Sequence, residues 1–364
     1  MPPSEPQDSR IASLDALRGF DMCWILGLES VFKSLLNSLF PESSLAHFFA
    51  SQLSHVDWEG FHFYDLIFPL FLFLSGVSMA IALPRRLQRD GLRSAVIHLL
   101  QRGLILFLLG VFFSGGLKDG WEKVRWLGVL QRIGIASAAA GLLSLFLSSR
   151  ALVLLSISIL AGYATLFAFS TDLENGGNVF REGHNIVNSF DAAWLPGRKH
   201  SGTHDPEGLL STIPAVVTAL MGLLTGRWLR SARPPAEILR GLFAAGGVLI
   251  LAGWAWHPFF PIIKKLWTSS FVLVAGGWSL IFLSLFYWVV DIRGWSRWTP
   301  MFLWVGSNPI LLYILSGMGL FRTAAERLAG KGLTSVPWVL PSAALAIMLL
   351  SSRWLYQRRI FVKV

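Results

Sequence analysis

Two stretches of the chain, Ala151–Ala168 and Phe271–Val290, contain no charged residue at all. A block of ~18 or more apolar residues is long enough to cross a hydrocarbon core of roughly 30 Å as a helix. Within lipid only helices and closed barrels satisfy their own backbone groups. Comparable blocks recur along the chain and predict spans near 14–37, 62–83, 95–114, 126–147, 151–170, 209–229, 237–257, 268–290, 298–320 and 336–355. The expected fold is therefore all-α, a polytopic integral membrane protein with about ten transmembrane helices. Composition agrees, because 54% of the residues are hydrophobic and only 14% charged. Soluble domains carry nearer a quarter charged, and a water-soluble chain this apolar would expose aggregation-prone patches. Proline and glycine clusters such as Arg233-Pro234-Pro235 and Gly115-Gly116 mark several breaks. The expected organisation is a tail at 1–13, a transmembrane domain at 14–355 and a second tail at 356–364. The first ten residues are polar and lack an apolar signal core, so the first span is expected to direct insertion itself.

The net charge is +10, which in a soluble protein would point to nucleic acid. Here the basic residues fall in loops on one side of the expected membrane: Arg85, Arg86, Arg89, Arg93, Arg150, Arg230, Arg233, Arg293, Arg297, Arg358, Arg359 and Lys363. An even number of spans puts both termini on that side, and the positive-inside rule makes it cytoplasmic. The setting implied is a membrane, with lipids rather than nucleic acid as neighbours. Two long loops, about 38–61 and 171–208, then face outward and hold most of the histidines, the residue type suited to proton transfer near neutral pH. Cys23 is the single cysteine, which excludes a disulfide framework and a cysteine-based metal site; no metal is expected.

Ionisable groups inside spans are costly and usually face a cavity or a partner. Asp15 and Arg18 lie at the cytoplasmic end of the first span and are spaced to pair with each other. Glu29 follows Asp15 by roughly 21 Å of helix, near the outer end. Asp65 is one turn into the second span, and Gln131 and Arg132 about two turns into the fourth. These groups, with His55, are placed to converge in the outer half; a structural Asp65–Arg132 ion pair is the competing expectation. Asn308, before Pro309, is placed either at a site or at a kink whose carbonyls it satisfies. His62 reads as an interface residue. Asp205 and Glu207 can bind an amino sugar or complement a helix N-terminus. Most of the tryptophans read as an aromatic belt.

Five ordered motifs carry a resemblance. They are Ser13-Leu14-Asp15-Ala16-Leu17-Arg18-Gly19-Phe20-Asp21; His55 to Gly76, with its His-x-x-Trp-x-Gly and Asp65-Leu-Ile-Phe-Pro69; Gly128-Val-Leu-Gln131-Arg132-Ile; Asp205-Pro-Glu207-Gly208; and Lys264-Lys265-Leu-Trp267-Thr-Ser269-Ser. Together they resemble the heparan-α-glucosaminide N-acetyltransferase family in its bacterial branch. The resemblance implies transfer of an acetyl group from cytosolic acetyl-CoA to an amino or hydroxyl group of a sugar or glycan across the membrane. It implies His55 and Asp65 as the catalytic residues. Asp15, Arg18, Gln131, Arg132 and Asn308 would serve the donor, and Glu29, Trp58, His204, Asp205, Glu207, Lys265, Trp267 and Ser269 the acceptor. This chain departs from the lysosomal members at Glu29, where they carry an asparagine. The residues fit the chemistry independently: an ammonium or hydroxyl nucleophile must lose a proton, which a histidine can take, or the histidine can carry the acyl group itself. Arginine suits CoA phosphates. Asp65 is the preferred partner to orient His55, with Asp57 and Glu29 as alternatives. The competing function is a transporter or flippase for a sugar or lipid-linked glycan, since buried charges and discontinuous helices serve transport equally. A homo-oligomer remains open.

Overall fold

A computed structural model describes residues 11–170, 178–333 and 336–362; the ends of both expected tails, including Lys363, lie outside the described residues. In chain order the helices are α1 (Ala12–Cys23), α2 (Glu29–Leu39), α3 (Ser44–Gln52), α4 (Phe63–Phe113), α5 (Val129–Phe146), α6 (Ser149–Ala168), α7 (Ile186–Trp194), α8 (Leu209–Leu229), α9 (Pro235–Trp256), α10 (Ser269–Phe286), α11 (Pro300–Gly306), α12 (Pro309–Gly317), α13 (Leu320–Leu333) and α14 (Val339–Gln357). Among the described residues, seven helices are long and apolar enough to cross a membrane, and eight if the bent α11–α12 pair is one span. The chain is thus an all-helical polytopic membrane protein. Large apolar side chains stand exposed along α6 and α9, including Leu154, Ile157, Val248 and Leu251, as surfaces that meet lipid tails do.

The expected spans are altered at three places. Segments 62–83 and 95–114 are the two helical arms of the 51-residue α4, which contains Pro69 and Pro84 and is broken between the arms at Gly91 (φ 78°, ψ 173°). A positive φ with extended ψ is accessible essentially to glycine. Unbroken, a helix of this length would run roughly 75 Å, far beyond one hydrocarbon core. The first segment is interrupted between α1 and α2 by a π-helical turn, Trp24–Leu28, with Gly27 at φ 124°. The segment 298–320 is broken at Ser307-Asn308 into α11 and α12, bent by 77°, where Pro309 supplies no N–H to continue the helix. Helix α13 lies between the last two expected spans and matches neither. Its Ala-Ala-Glu-Arg-Leu run is built of strong helix formers, with Arg322 bonded to Glu326 one turn on at 3.1 Å.

The contacts divide the chain into two units. The first comprises Met1–Ser34, Pro234–Phe243 and Ile281–Lys363. In it α1 crosses α11 with backbone nearly touching backbone: a Cβ on Gly19 would overlap the Phe302 carbonyl, and one on Gly306 would sit 2.7 Å from the Asp15 oxygen. Asp291 caps α1, accepting from the Ala12 and Ser13 N–H groups at 3.2 and 3.3 Å. Phe20 packs among Phe282, Phe286 and Phe302.

The second unit comprises Leu35–Arg233 and Ala244–Leu280. Here α4 packs along α5 and α8. Gly76 of α4 faces the Ala219 carbonyl and Gly222 of α8 faces the Phe73 carbonyl, each too close for a Cβ. Small residues permit such approach where the attraction between helices is van der Waals packing rather than a hydrophobic force. The crossing fixes the first turns of α4 and α8, and both begin at the candidate site. Gly222→Val should lower the melting temperature in detergent by about 5 °C or more, as overpacking at a backbone contact does. Gly162→Val, where an added Cβ meets nothing within 4 Å, should change it little.

Candidate active site

The site grows from the start of α4, within the second unit. Asp65, the third residue of that helix, is 1% exposed. Its Oδ2 accepts the backbone N–H groups of Val56 (3.2 Å) and His62 (3.1 Å). Its Oδ1 lies 2.8 Å from His55 Nδ1. An acidic residue in a first helical turn satisfies N–H groups that no helical carbonyl reaches, and here it also folds residues 55–62 back over the helix end. Two further bonds hold that fold: His62 Nδ1 to the Ser54 carbonyl at 3.0 Å, and the Phe63 N–H to Gln52 Oε1 at 3.2 Å. The His55 side chain stays 53% exposed, its ring tilted against Tyr64 at 4.7 Å. A carboxylate at 2.8 Å from Nδ1 assigns the ring proton to Nδ1 and leaves Nε2 with the lone pair.

The chain before α10 docks on this loop. Gly60 N–H donates to the Ile262 carbonyl at 2.8 Å, and Glu59 and Ile263 form an antiparallel bridge. This brings Lys264 Nζ to 2.9 Å from His55 Nδ1 and 3.3 Å from Nε2, and to 3.4 Å from Asp65 Oδ1. Burial pushes the Lys264 ammonium below the ordinary lysine range, against the opposing pull of Asp65. Trp267 ends this turn in the left-handed region (φ 51°, ψ 46°), uncommon for a bulky residue. That conformation carries its indole inward, donating to Thr218 Oγ1 at 3.2 Å. The Ser269 hydroxyl, also expected at the acceptor site, is buried and donates to the Leu160 carbonyl at 2.7 Å.

A second polar layer lies under α5 and α8. Arg125 grips Asp205 with two bonds of 2.8 and 2.7 Å and reaches Glu207 at 2.7 Å. Asp205 also accepts the backbone N–H groups of His200 and Glu207. Burial pushes the Asp205 carboxyl up, but the Arg125 bonds and charge outweigh it and hold it below the usual carboxylate range. Glu207 goes the other way, raised first by burial and also by the Asp205 charge. Asp191 caps α8 through the Leu209 N–H at 2.9 Å. Arg132 is fully buried, donating to the Pro206 carbonyl at 2.9 Å and to Ser211, with its guanidinium 4.8 Å over the Trp267 ring. The expected Asp65–Arg132 pair therefore does not form; each has other partners, because the fold-back of His55 and the docking of Lys264 supply Asp65 first. Gln131 donates to the Arg125 carbonyl at 3.3 Å.

Trp58, His204 and Lys265 meet at a rim. Lys265 donates to Glu182 at 2.8 Å and lies 5.5 Å over the Trp58 ring. His204 Nε2 is 3.7 Å from the same carboxylate, and burial holds its imidazole below the ordinary histidine range. The Trp58 indole donates to the Phe180 carbonyl at 2.9 Å. Four residues of this unit were missed in the sequence: Lys264 as a partner of His55, Arg125, Glu182 and Asp191. Lys264 stood inside a quoted motif; the other three lie in loops and a short helix where no spacing rule joins them.

The remaining candidates belong to the first unit. Arg18 donates to Asp15 at 3.1 Å, the i,i+3 pair that their spacing suggested. Glu29 accepts from Ser30 at 2.8 Å and lies 4.0 Å from Lys33. Asn308, fully buried at the break between α11 and α12, donates to the Ile360 carbonyl at 2.9 Å and accepts the Val362 N–H at 2.8 Å.

Residues 10–240 match the family described as heparan-α-glucosaminide N-acetyltransferase, catalytic, a stretch of more than half the chain that contains the whole His55–Asp65 loop. The chain belongs to the heparan-α-glucosaminide N-acetyltransferase catalytic family. That is a family of membrane N-acetyltransferases that use acetyl-CoA. Relatives of this family named heparan-α-glucosaminide N-acetyltransferase, from Mus musculus and Homo sapiens, are each 26% identical to it over 71% of this chain and 48% of their own length. The chain thus spans about half the length of the curated relatives it matches.

Removing one partner of a buried ion pair costs about 3–5 kcal/mol, because the other charge is left uncompensated. Arg125→Met should therefore unfold the loop before α8 and lower the thermal midpoint by several degrees. The double variant Arg125→Met with Asp205→Asn should regain part of that loss. Equal midpoints for the wild type and the single variant would show that the pair does not hold the loop.

Proposed function

We propose that this protein transfers the acetyl group of cytosolic acetyl-CoA to an amino or hydroxyl group of a sugar or glycan on the periplasmic side of a bacterial cytoplasmic membrane. The observation that carries the reading is the His55–Asp65 pair, with Nδ1 2.8 Å from a buried carboxylate on a ring that remains half exposed. A carboxylate so placed holds one tautomer and stabilises the imidazolium that forms when Nε2 takes a proton. His55 is the general base, or the acyl carrier, and Asp65 orients it. Trp58, Lys265 and His204, joined through Glu182, form the rim on which a sugar lies: a tryptophan face stacks on apolar sugar surface, while the Glu182 carboxylate suits an ammonium. Arg18 serves the CoA phosphates. Family membership and the half-length overlap with its relatives support the reaction class and leave the acceptor to this chain's own residues, among them Glu29.

In this reading the two arms of α4 cross separately, and the α1–α2 segment and the α11–α12 pair cross once each, giving ten spans with both termini cytoplasmic. The arginine asymmetry supports it. Cysteines placed at Ser44 and Ser201 should then react with an impermeant maleimide in intact spheroplasts, and one at Ser94 should not. The reverse pattern overturns the orientation.

The broken α11–α12 pair also suits a transporter or flippase, whose sites are commonly made by discontinuous helices. Radiolabelled acetyl-CoA separates the readings: label on an amino sugar marks the transferase, and uptake into vesicles without acetylation marks the transporter. His55→Ala should reduce transfer by ~10²–10⁴-fold and still bind acetyl-CoA by calorimetry. Near-wild-type turnover in that variant would remove His55 from the mechanism. His62 is unsuited as the silent control, since it holds the same loop; His98, on the second arm of α4, serves instead.

A further inference from the structure

Three groups converge on one carboxylate oxygen. His55 Nδ1 is 2.8 Å and Lys264 Nζ 3.4 Å from Asp65 Oδ1, and the two nitrogens are 2.9 Å apart. Both reach the same carboxylate oxygen, and Lys264 Nζ also lies 3.3 Å from His55 Nε2. Asp65 contributes one negative charge, fully enclosed, which balances one positive charge and not two. An ammonium at 2.9 Å and an imidazolium beside it would repel each other across a site whose second charge has no counterion of its own.

We propose that His55 and Lys264 hold a single positive charge between them, with Lys264 as the positioning residue that keeps the His55 imidazole neutral until it takes the acceptor's proton. This rests on the reading of His55 as the group that accepts that proton. At rest the charge sits on Lys264, and the Nδ1 proton points at Asp65. When Nε2 takes a proton from an acceptor ammonium, the Lys264 side chain, 20% exposed, releases one of its own to water, and the charge at the carboxylate is unchanged. The amine then attacks: the C–N bond forms, the thioester C–S bond breaks, and the second N–H proton ends on the CoA sulfur. The other charged groups near Lys264 permit this. Glu207, from the chain before α8, acts on it electrostatically, but is engaged with Arg125. Lys265, its neighbour, is paired with Glu182. Burial already weakens the hold of Lys264 on its proton, which makes the exchange easier.

From the sequence only Lys265 is expected at the acceptor site, and Lys264 has no role. The structure separates them: one turns to the imidazole and the other to the rim.

The test is the reaction of His55 with diethyl pyrocarbonate, which attacks only unprotonated imidazole and needs no acetyl-CoA. His55 is exposed enough to be reached. In the full-length protein at pH 6.5, Lys264→Met should slow modification of the His55 peptide, read by mass spectrometry, at least threefold, because Asp65 then draws the proton onto the ring. Lys264→Arg, which keeps the charge, should react at the wild-type rate. Transfer by Lys264→Met should fall at least tenfold in kcat, with the KM for acetyl-CoA within twofold of wild type. Should Lys264→Met fail to purify as a monodisperse protein, Lys264→Gln makes the same comparison. Equal modification rates in wild type and the neutral variant overturn the proposal, as does an unchanged kcat. If wild-type protein acetylates neither an amino nor a hydroxyl group of a sugar, the functional reading fails, and the modification arm still decides whether the charge is shared.

Discussion

The Asp65 carboxylate is the constraint on which the rest of the site depends. It sits in the first turn of α4, where backbone N–H groups have no helical partner, and it is almost completely enclosed. A buried carboxylate without donors is strongly disfavoured, so the fold must bring donors to it. It brings the Val56 and His62 backbone, the His55 ring and the Lys264 ammonium. Meeting that one requirement closes the loop over the helix end and recruits the turn before α10. The same requirement orients an imidazole whose other nitrogen is left for chemistry.

The helices around it serve to hold this helix end still. Because α4 and α8 meet backbone to backbone at Gly76 and Gly222, the first turns of both are fixed relative to each other. The Arg125–Asp205–Glu207 cluster and the Asp191 cap then tie the loop before α8 to the start of α5. A charge-rich layer of this kind is costly in itself. Its value lies in specifying one arrangement of loops that apolar packing alone would leave free.

The sequence made the helical membrane architecture legible because uncharged runs such as 151–168 admit little else. It also made Asp65 the preferred partner of His55 over Asp57 and Glu29, and the structure brings the two side chains to 2.8 Å. Other features depend on three-dimensional detail that hydropathy does not carry. Gly91 breaks helical geometry between two expected spans within α4, and Gly27 and Asn308 interrupt two others. Whether a glycine in an apolar run breaks a helix depends on what packs beside it. The partners of Arg132 were misjudged for a related reason. Opposite charges at similar expected depth suggested a pair with Asp65, whereas closure of a loop within sequence reach supplies Asp65 first. Arg125 and Glu182 were invisible because loop residues separated by 80 positions have no periodicity to connect them.

Family membership supports the proposed reaction class, and in the proposed mechanism the geometry around Asp65 supplies one tautomer of one histidine, held by a carboxylate that is itself held by the backbone. Nitrogen chemical shifts of protein labelled with ¹⁵N-histidine, with the His55 signals assigned by their loss in His55→Gln, measure that tautomer directly. The account expects a protonated Nδ1 and an unprotonated Nε2 at neutral pH, and a shift toward the opposite tautomer or an even mixture in Asp65→Asn. A proton on Nε2 in the wild type, or signals indifferent to Asp65→Asn, would contradict it.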